Sequence, residues 1–302
     1  MSAADPRTLL VADSFRVRVR EGRAEVRGFA QHLARFRGSV IEALATPEDH
    51  RATEAVADAL SHASFSALST SDDHNHSSSF EIFAVPLAAS PGEKDRLDDF
   101  LAHAVSRIAA GGEAFPRLEL WRTSDGETSY ELSERPVPAL GSTLQARVAG
   151  HVSLDAPTRK GPGIELLGAL NRKLGAEALL TDVDGRVREG ATTSLIYWTD
   201  ETEESGHVIE DVNRVDSVTE SLILDAAQHR LIGTKPNRQR TGALHLGLPT
   251  VAELQRAEVW GVNALHGIRP IRSIDGAALP DPKLTRLRWF REALDRTWEP
   301  VS

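Results

Sequence analysis

The sequence predicts an α+β fold divided into two domains. Its 302 residues are about twice the length of a typical domain, and 40% of them are hydrophobic. Strand-like and helix-like segments alternate with hairpin signals in both halves, which fits α+β better than a doubly wound sheet. Residues 131–160 carry three prolines and two glycines, which is typical of a connection. We therefore expect an N-terminal domain over 1–130, a connector over 131–153 and a C-terminal α+β domain over 154–302.

The first domain is predicted to mix strands and helices. Runs of β-branched, apolar and aromatic residues indicate strands at residues 9–19, 80–87 and 118–121. Apolar residues at helical spacing indicate helices over residues 29–44, 48–62 and 97–108. Glu21-Gly22 marks a turn after the first strand, and a polar, serine-rich loop is expected over 61–79.

The second domain has sharper local signals. Asp184-Gly185 stands between two strand-like runs, which is typical of a β-hairpin. Ser217-Val-Thr-Glu220 and Thr250-Val-Ala-Glu253 have the residues of a capping box, so each is expected to begin a helix. The other predicted elements are a strand at 144–152, a short helix at 164–174, broken strands at 259–274 and a final helix over 284–298.

Composition excludes several classes of function. Lys plus Arg number 35 against 44 Asp plus Glu, and this formal charge of −9 argues against a nucleic-acid partner. The chain has no cysteine, which excludes disulfides, thiolate metal sites and cysteine nucleophiles. It has no apolar run near the roughly 18 to 20 residues that cross a bilayer, and no signal-peptide pattern at its start. We expect a cytoplasmic protein with no membrane partner.

Nitrogen and oxygen groups must therefore supply any chemistry. The chain has only five lysines, and four of them lie in charged or loop-like surroundings. Lys160 differs, because it stands where the connector meets the second domain and is followed by Gly161-Pro162-Gly163. Ligand clefts often form at such junctions. On this evidence alone Lys160 can be either a reactive amine or an ordinary surface lysine.

Other groups are suggestive only in combination. The helix expected to begin at Ser217 would offer free backbone N–H groups to an anion, although most capping boxes are ordinary helix starts. Asn263-Ala264 is a possible second set of donors, and Glu189 is either an exposed strand residue or a carboxylate in a cleft. Asp72-Asp-His-Asn-His76 has metal-binding residue types but lies in the predicted serine-rich loop, so no metal site is expected.

Taken together, the motifs resemble the class IV aminotransferases. This fold-type IV pyridoxal-phosphate family contains branched-chain aminotransferases, D-amino-acid aminotransferases and aminodeoxychorismate lyases. The resemblance runs from about residue 9 to residue 276. The segments that carry it are Asp13-Ser-Phe-Arg-Val, His32-Leu-Ala-Arg-Phe36, Phe115-Pro-Arg117, Lys160-Gly, the hairpin of residues 178–191, Ser217-Val-Thr219 and residues 258–276.

The resemblance implies a two-domain fold with a cofactor cleft between the domains, the second domain being the cofactor-binding one. Lys160 stands where the family keeps the lysine that forms a Schiff base with pyridoxal 5′-phosphate. Glu189 stands where the family keeps the carboxylate that pairs with the pyridine nitrogen. Arg117 matches an arginine that meets a substrate carboxylate in some members.

A phosphate site is implied in the same way. Arg35 matches the arginine that binds the cofactor phosphate. The other residues that match the family's phosphate-binding positions are Ser217, Val218, Thr219, Asn263 and Ala264. These assignments agree with elementary chemistry, since a phosphate needs a cation and a helix start. The family resemblance also implies a homodimer.

The sequence departs from the family pattern at three places. Only 29 positions separate Lys160 from Glu189, a few fewer than is usual. Ile164 and Glu165 stand near a position where branched-chain members have a tyrosine, and Glu220 replaces an arginine. The first hypothesis is an aminotransferase acting on an amino acid and a 2-oxo acid. The alternatives are a lyase resembling aminodeoxychorismate lyase and a non-catalytic relative that acts as a binding protein.

Overall fold

The computed structural model describes residues 7–45, 91–199, 205–230 and 244–302. The helix, loop and strand predicted within residues 48–87 lie outside these ranges, as does the His74 and His76 motif. The described elements of the first half are β1 (Thr8–Ser14), β2 (Val17–Arg20), β3 (Arg23–Arg27), α1 (Phe29–Leu44), α2 (Pro91–Ala110), β4 (Arg117–Arg122) and β5 (Thr128–Ser133).

The second half contributes four helices and ten strands to the described residues. The helices are α3 (Ile164–Leu174), α4 (Val218–Gln228), α5 (Val251–Leu254) and α6 (Leu284–Asp295). The strands are β6 (Leu144–His151), β7 (Glu177–Thr181), β8 (Val187–Gly190), β9 (Ser194–Trp198), β10 (Gly206–Ile209), β11 (Leu244–Gly247), β12 (Glu258–Asn263), β13 (Gly267–Ile274), β14 (Ala277–Ala278) and β15 (Trp298–Pro300).

Two three-stranded sheets form most of the first half, in the orders β1-β4-β5 and β15-β3-β2. The strand predicted over residues 9–19 is in fact two strands, which belong to different sheets. The chain leaves the first sheet at Phe15, whose side chain is fully buried in the core shared with α1 and α2. Burying this ring in the core is more favourable than continuing one strand. The alternating pattern of residues 9–19 therefore looks like a single strand although the chain changes sheet at Phe15.

A nine-stranded mixed sheet forms the second half, in the order β11-β10-β9-β12-β13-β6-β7-β8 with β14 paired to β13. Strand β6, which the sequence places in the connector, runs parallel to both β13 and β7 inside this sheet. Strand β15 pairs with β3, so the end of the chain returns to the first half. The division at 131–153 itself stays a prediction.

Local signals explain where several elements begin and end. The β7–β8 hairpin turns at Gly185, whose φ of 78° suits glycine. Thr250 begins α5 with a complete capping box. Ser217 caps α4 by accepting from the backbone N–H of Glu220, but the Glu220 carboxylate pairs with Arg214 instead of closing the box. The final helix stops at Asp295, before Trp298.

Aromatic side chains organise the core beneath the large sheet. Trp198, Trp260 and Phe290 pack together under α4 and α6, and all three are at most 1% exposed. The buried Arg286 guanidinium pairs with Glu258 and lies 4.4 Å from the Trp198 ring centroid. No helix of the described residues combines the length and apolarity that crossing a bilayer requires.

Candidate active site

A cavity of about 360 Å³ opens between the first-half sheets and the large sheet. Its walls come from both halves of the chain, with β1, α1 and the segment before β4 on one side and β8, the start of α4 and the turn after β12 on the other. All nine residues singled out from the sequence line it: Arg35, Arg117, Lys160, Glu189, Ser217, Val218, Thr219, Asn263 and Ala264.

Lys160 is fixed through its backbone against β1. Its carbonyl oxygen accepts a hydrogen bond of 2.7 Å from the Ala12 N–H. The next residue is Gly161, with φ of 148°, and a Cβ there would lie 2.8 Å from Val11 Cα. Only glycine permits this close approach of two backbones. The glycine that follows the lysine is therefore a structural requirement of the site.

The side chain of Lys160 has unusual acidity. Burial lowers its pKa to about 8, and the positive charge of Arg35 acts in the same direction. Within the described part of the chain, its Nζ makes no hydrogen bond or ion pair. A lysine amine whose pKa is lowered in this way is available as a nucleophile or base near neutral pH.

Glu189 lies on β8, where it pairs with Leu180 of β7. Burial raises the pKa of its carboxyl to about 7, and the charges of Arg214 and Arg188 oppose that rise. Among the described residues its carboxylate makes no hydrogen bond, because Arg188 pairs with Asp211 and Arg214 pairs with Glu220. The carboxylate is thus left to the cavity.

Arg35 is held by Asp13, which begins one of the motifs in the sequence but was assigned no role from the sequence. Its Nε and Nη2 each donate to Asp13 at 2.8 Å, and its Nη1 donates to the Asp216 carbonyl at 2.6 Å. The His32 Nδ1–H donates to Asp13 at 2.9 Å. Burial would raise the pKa of Asp13, but Arg35 and His32 hold it well below its usual range. An acidic residue directly after the apolar run at residues 9–12 was the available signal.

The start of α4 is anchored to this cluster, because Asp216 precedes the Ser217 cap. The Ser217 hydroxyl accepts from the Glu220 N–H at 3.3 Å, and Val218 and Thr219 form the first turn. The first N–H groups of a helix have no partner within the helix. Together with the Arg35 guanidinium they form an anion-binding corner.

A second turn closes the same wall of the cavity. The Asn263 Nδ2 donates to the Thr192 carbonyl at 3.2 Å, and its Oδ1 accepts from the His266 N–H at 2.9 Å. The buried Glu177 carboxylate in turn accepts from the Thr192 N–H at 2.6 Å. Glu177 and Thr192 were not predicted, since they lie just outside the hairpin segment of residues 178–191. The side chain of Asn263 therefore shapes the turn that presents Ala264.

Arg117 and Arg135 also line the cavity. Arg117 forms an ion pair of 2.5 Å with the buried Glu119. Arg135 was not predicted, because its proline-flanked segment resembles a connector in sequence. The cavity therefore combines an anion-binding corner, a lysine of lowered pKa, a free carboxylate and further arginines. Such a set of groups can bind a phosphorylated ring and act on a bound carboxylic acid.

Comparisons with known proteins identify the fold. No protein-family model and no curated protein sequence matches the chain. Solved structures do match: a branched-chain aminotransferase from Thermoproteus uzoniensis with norvaline is 16% identical, with a TM-score of 0.64 over 97% of this chain and 90% of that one. A hypothetical aminotransferase from Mycobacterium tuberculosis, in its alpha-ketoglutarate and PMP bound form, is 16% identical, with a TM-score of 0.62 over 98% and 93%.

A third structure has the same relation to the chain. A branched-chain amino acid aminotransferase from T.th., complexed with N-(5′-phosphopyridoxyl)-L-glutamate, is 13% identical, with a TM-score of 0.62 over 98% of this chain and 90% of that one. At these identities the likeness concerns the fold. The chain therefore has the mixed α and β fold of the fold-type IV aminotransferases.

Proposed function

We propose that this protein is a pyridoxal-phosphate-dependent aminotransferase that moves an amino group between an amino acid and a 2-oxo acid. The observation that carries the proposal is that one cavity holds the Lys160 amine, with its pKa lowered to about 8, and the Glu189 carboxylate, neither hydrogen-bonded within the described residues. The fold of the aminotransferase structures supports it. A homodimer stays part of the proposal, to be checked by light scattering.

The donor set suits the cofactor. Its phosphate would be held by Arg35, by the first turn of α4 at Ser217, Val218 and Thr219, and by the turn at Asn263 and Ala264. Glu189 would accept a hydrogen bond from the protonated pyridine nitrogen, which explains why a half-buried carboxylate is left without an arginine partner. Lys160 would hold the aldehyde carbon. When bound, the cofactor supplies an electron sink for the substrate's α-carbon.

The protein's own residues supply the proton transfer. The Lys160 Nζ would act as a base beside the substrate, because its lowered pKa keeps it partly unprotonated near neutral pH. Nζ would take up the proton that leaves the substrate's α-carbon and would later release it.

The test is a visible spectrum of the protein mixed with pyridoxal phosphate. Wild type is expected to show the absorbance of a lysine-bound cofactor, and Lys160→Ala to lose it together with at least about 10³-fold of turnover. Lys173→Ala is the matched control, since Lys173 is exposed on α3. An unchanged spectrum in Lys160→Ala contradicts the assignment.

A panel of amino acids and 2-oxo acids then separates the alternatives. Turnover that requires both an amino donor and an oxo-acid acceptor supports the aminotransferase. Release of pyruvate without any acceptor indicates the lyase. A wild-type protein that never develops the cofactor absorbance supports the non-catalytic binding protein.

A further inference from the structure

Among the described residues, Arg135 is a cavity arginine whose hydrogen-bond acceptors are all neutral. Its Nε donates to the Phe115 carbonyl at 3.2 Å, and its Nη2 donates to the Ser14 hydroxyl at 3.0 Å. The guanidinium carbon also lies 4.9 Å from the Phe115 ring centroid. These three contacts fix the guanidinium at the cavity wall, because Ser14 and Phe115 line the cavity too. They give it no ion-pair partner among the described residues.

The neighbouring arginines differ from Arg135 in this respect. Arg35 is paired with Asp13, and Arg117 is paired with Glu119. The two oxygens of Glu119 are already engaged, one by Arg117 and the other by the Ser133 hydroxyl. Arg135 makes no ion pair with any described residue. Burial and the charge of Arg117 lower its pKa, and the charge of Glu119 opposes this only in part. A half-buried cation without an anion is costly, so a ligand that supplies one is favoured.

The geometry points to Arg135, and not the Glu119-paired Arg117, as the residue that binds the carboxylate of the substrate. This inference rests on the proposed function for the identity of the substrate. Arg35 belongs to the anion-binding corner at the start of α4, whereas Arg135 contacts Ser14 and Phe115, so we assign the two guanidiniums to two different anions. With Nε and one Nη2 contact used, the guanidinium keeps donors for a single planar carboxylate, the group that its fork fits best. Arg117 and Glu119 would then support Arg135 from the side.

The first experiment measures the preference for a carboxylate. In the cofactor-loaded protein, kcat/KM is determined for an amino acid that is turned over and for the matching amine without its carboxylate. The measured quantity is kcat/KM for the amino acid divided by kcat/KM for the amine. Arg135→Met is expected to lower it by about 10- to 100-fold, mainly by raising KM for the amino acid, because it removes a charge-assisted hydrogen bond to the carboxylate. Arg107→Met is the matched control, since Arg107 pairs with Glu134 on the exposed surface beside Arg135.

A second experiment does not depend on the cofactor. Saturation-transfer NMR compares pentanoate with pentylammonium, which has nearly the same length and opposite charge. Wild type and Arg107→Met are expected to bind pentanoate, Arg135→Met to lose it, and Arg135→Lys to recover part of it. Circular dichroism verifies that each variant is folded. If Arg135→Met does not fold, pentanoate binding is compared between wild type and Arg135→Lys instead.

The outcomes separate the two proposals. Pentanoate binding that depends on Arg135 supports this inference even if no cofactor absorbance ever appears, in which case the proposed function alone fails. The inference is overturned if Arg117→Met loses both pentanoate binding and the kcat/KM preference for the amino acid over the amine, while Arg135→Met keeps both. The proposed function would then still stand. Equal pentanoate binding by wild type and Arg135→Met overturns it as well.

Discussion

Under the proposed function the cavity has two parts, the anion-binding corner and a reactive end with Lys160 and Glu189, and their charges are arranged differently. At the anion-binding corner, Arg35 and His32 both hold Asp13, and Arg35 also reaches the carbonyl of Asp216. At the reactive end neither the Lys160 amine nor the Glu189 carboxylate has a hydrogen-bond partner among the described residues, and burial shifts the pKa of each towards its neutral form.

This difference separates groups that bind from groups that react. A binding cation must be in position before its ligand arrives, so a fixed carboxylate partner is useful. A group that gains and loses a proton must not be held in one charge state by a partner. The first arrangement stabilises the folded protein and the second destabilises it, which can be measured.

The largest expected change in the free energy of unfolding is at the anion-binding corner. Asp13→Asn leaves the partly buried Arg35 without its counter-ion, and we expect a loss of about 3 to 5 kcal/mol in the free energy of unfolding. In wild type the Asp13 contribution is present above the ordinary carboxyl pKa of 3.8 and is lost as pH falls towards its much lower value in the folded protein. Urea unfolding at neutral pH measures the change.

Glu131→Gln is the control for that comparison, because it removes an acidic partner from Arg7 on the exposed surface. Such pairs are worth less than about 1 kcal/mol. If the two substitutions cost the same, Asp13 does not have the structural role assigned to it.

A smaller effect of opposite sign is expected at the reactive end. Glu189→Gln should raise the free energy of unfolding of the cofactor-free protein at pH 8 by about 2 kcal/mol, allowing for partial solvent exposure. The pKa of Glu189 rises from 4.5 to about 7 on folding, so wild type loses stability relative to the variant as pH rises through that interval. Thermal unfolding between pH 4.5 and 8 measures it, with the exposed Glu113→Gln as control. If Glu189→Gln is less stable than wild type at pH 8, the Glu189 carboxylate does not destabilise the folded protein and the comparison fails.

The smallest effect distinguishes two helix caps. Ser217→Ala and Thr250→Ala each remove an N-cap hydroxyl, so both should cost about 1 kcal/mol of stability. Only Ser217 belongs to the anion-binding corner, so only Ser217→Ala should also weaken the binding of pyridoxal phosphate, with a Kd that is several-fold higher. Fluorescence titration with the cofactor gives that Kd, and equal weakening by both substitutions would contradict the assignment of the corner.

Local signals in the sequence predict much of this fold. The helices at Phe29–Leu44 and Ile164–Leu174 follow apolar spacing, and the hairpin at Gly185 follows its Asp-Gly turn. What could not be predicted depends on long-range pairing. The place of β6 between β13 and β7 involves residues more than 100 positions apart, and nothing local marks it.

The site divides in the same way. Residues within recognisable motifs, such as Lys160 and Glu189, were found because their order along the chain is distinctive. Arg135 was missed, and Asp13 was included in a motif without a role, because the significance of both comes from partners on other elements. Arg135 follows β5 in a segment rich in proline, and only the fold brings it against Ser14 on β1.

One short strand, β1, contacts four residues that line the cavity. Along β1, the Leu10 carbonyl accepts from Arg159, the Ala12 N–H donates to the Lys160 carbonyl, Asp13 holds Arg35, and Ser14 holds Arg135. Successive residues of a strand are about 3.3 Å apart, so the backbone of β1 fixes the spacing between the residues that it contacts. A one-residue slip of this strand against β4 would misalign the whole cavity at once, even with every side chain still present.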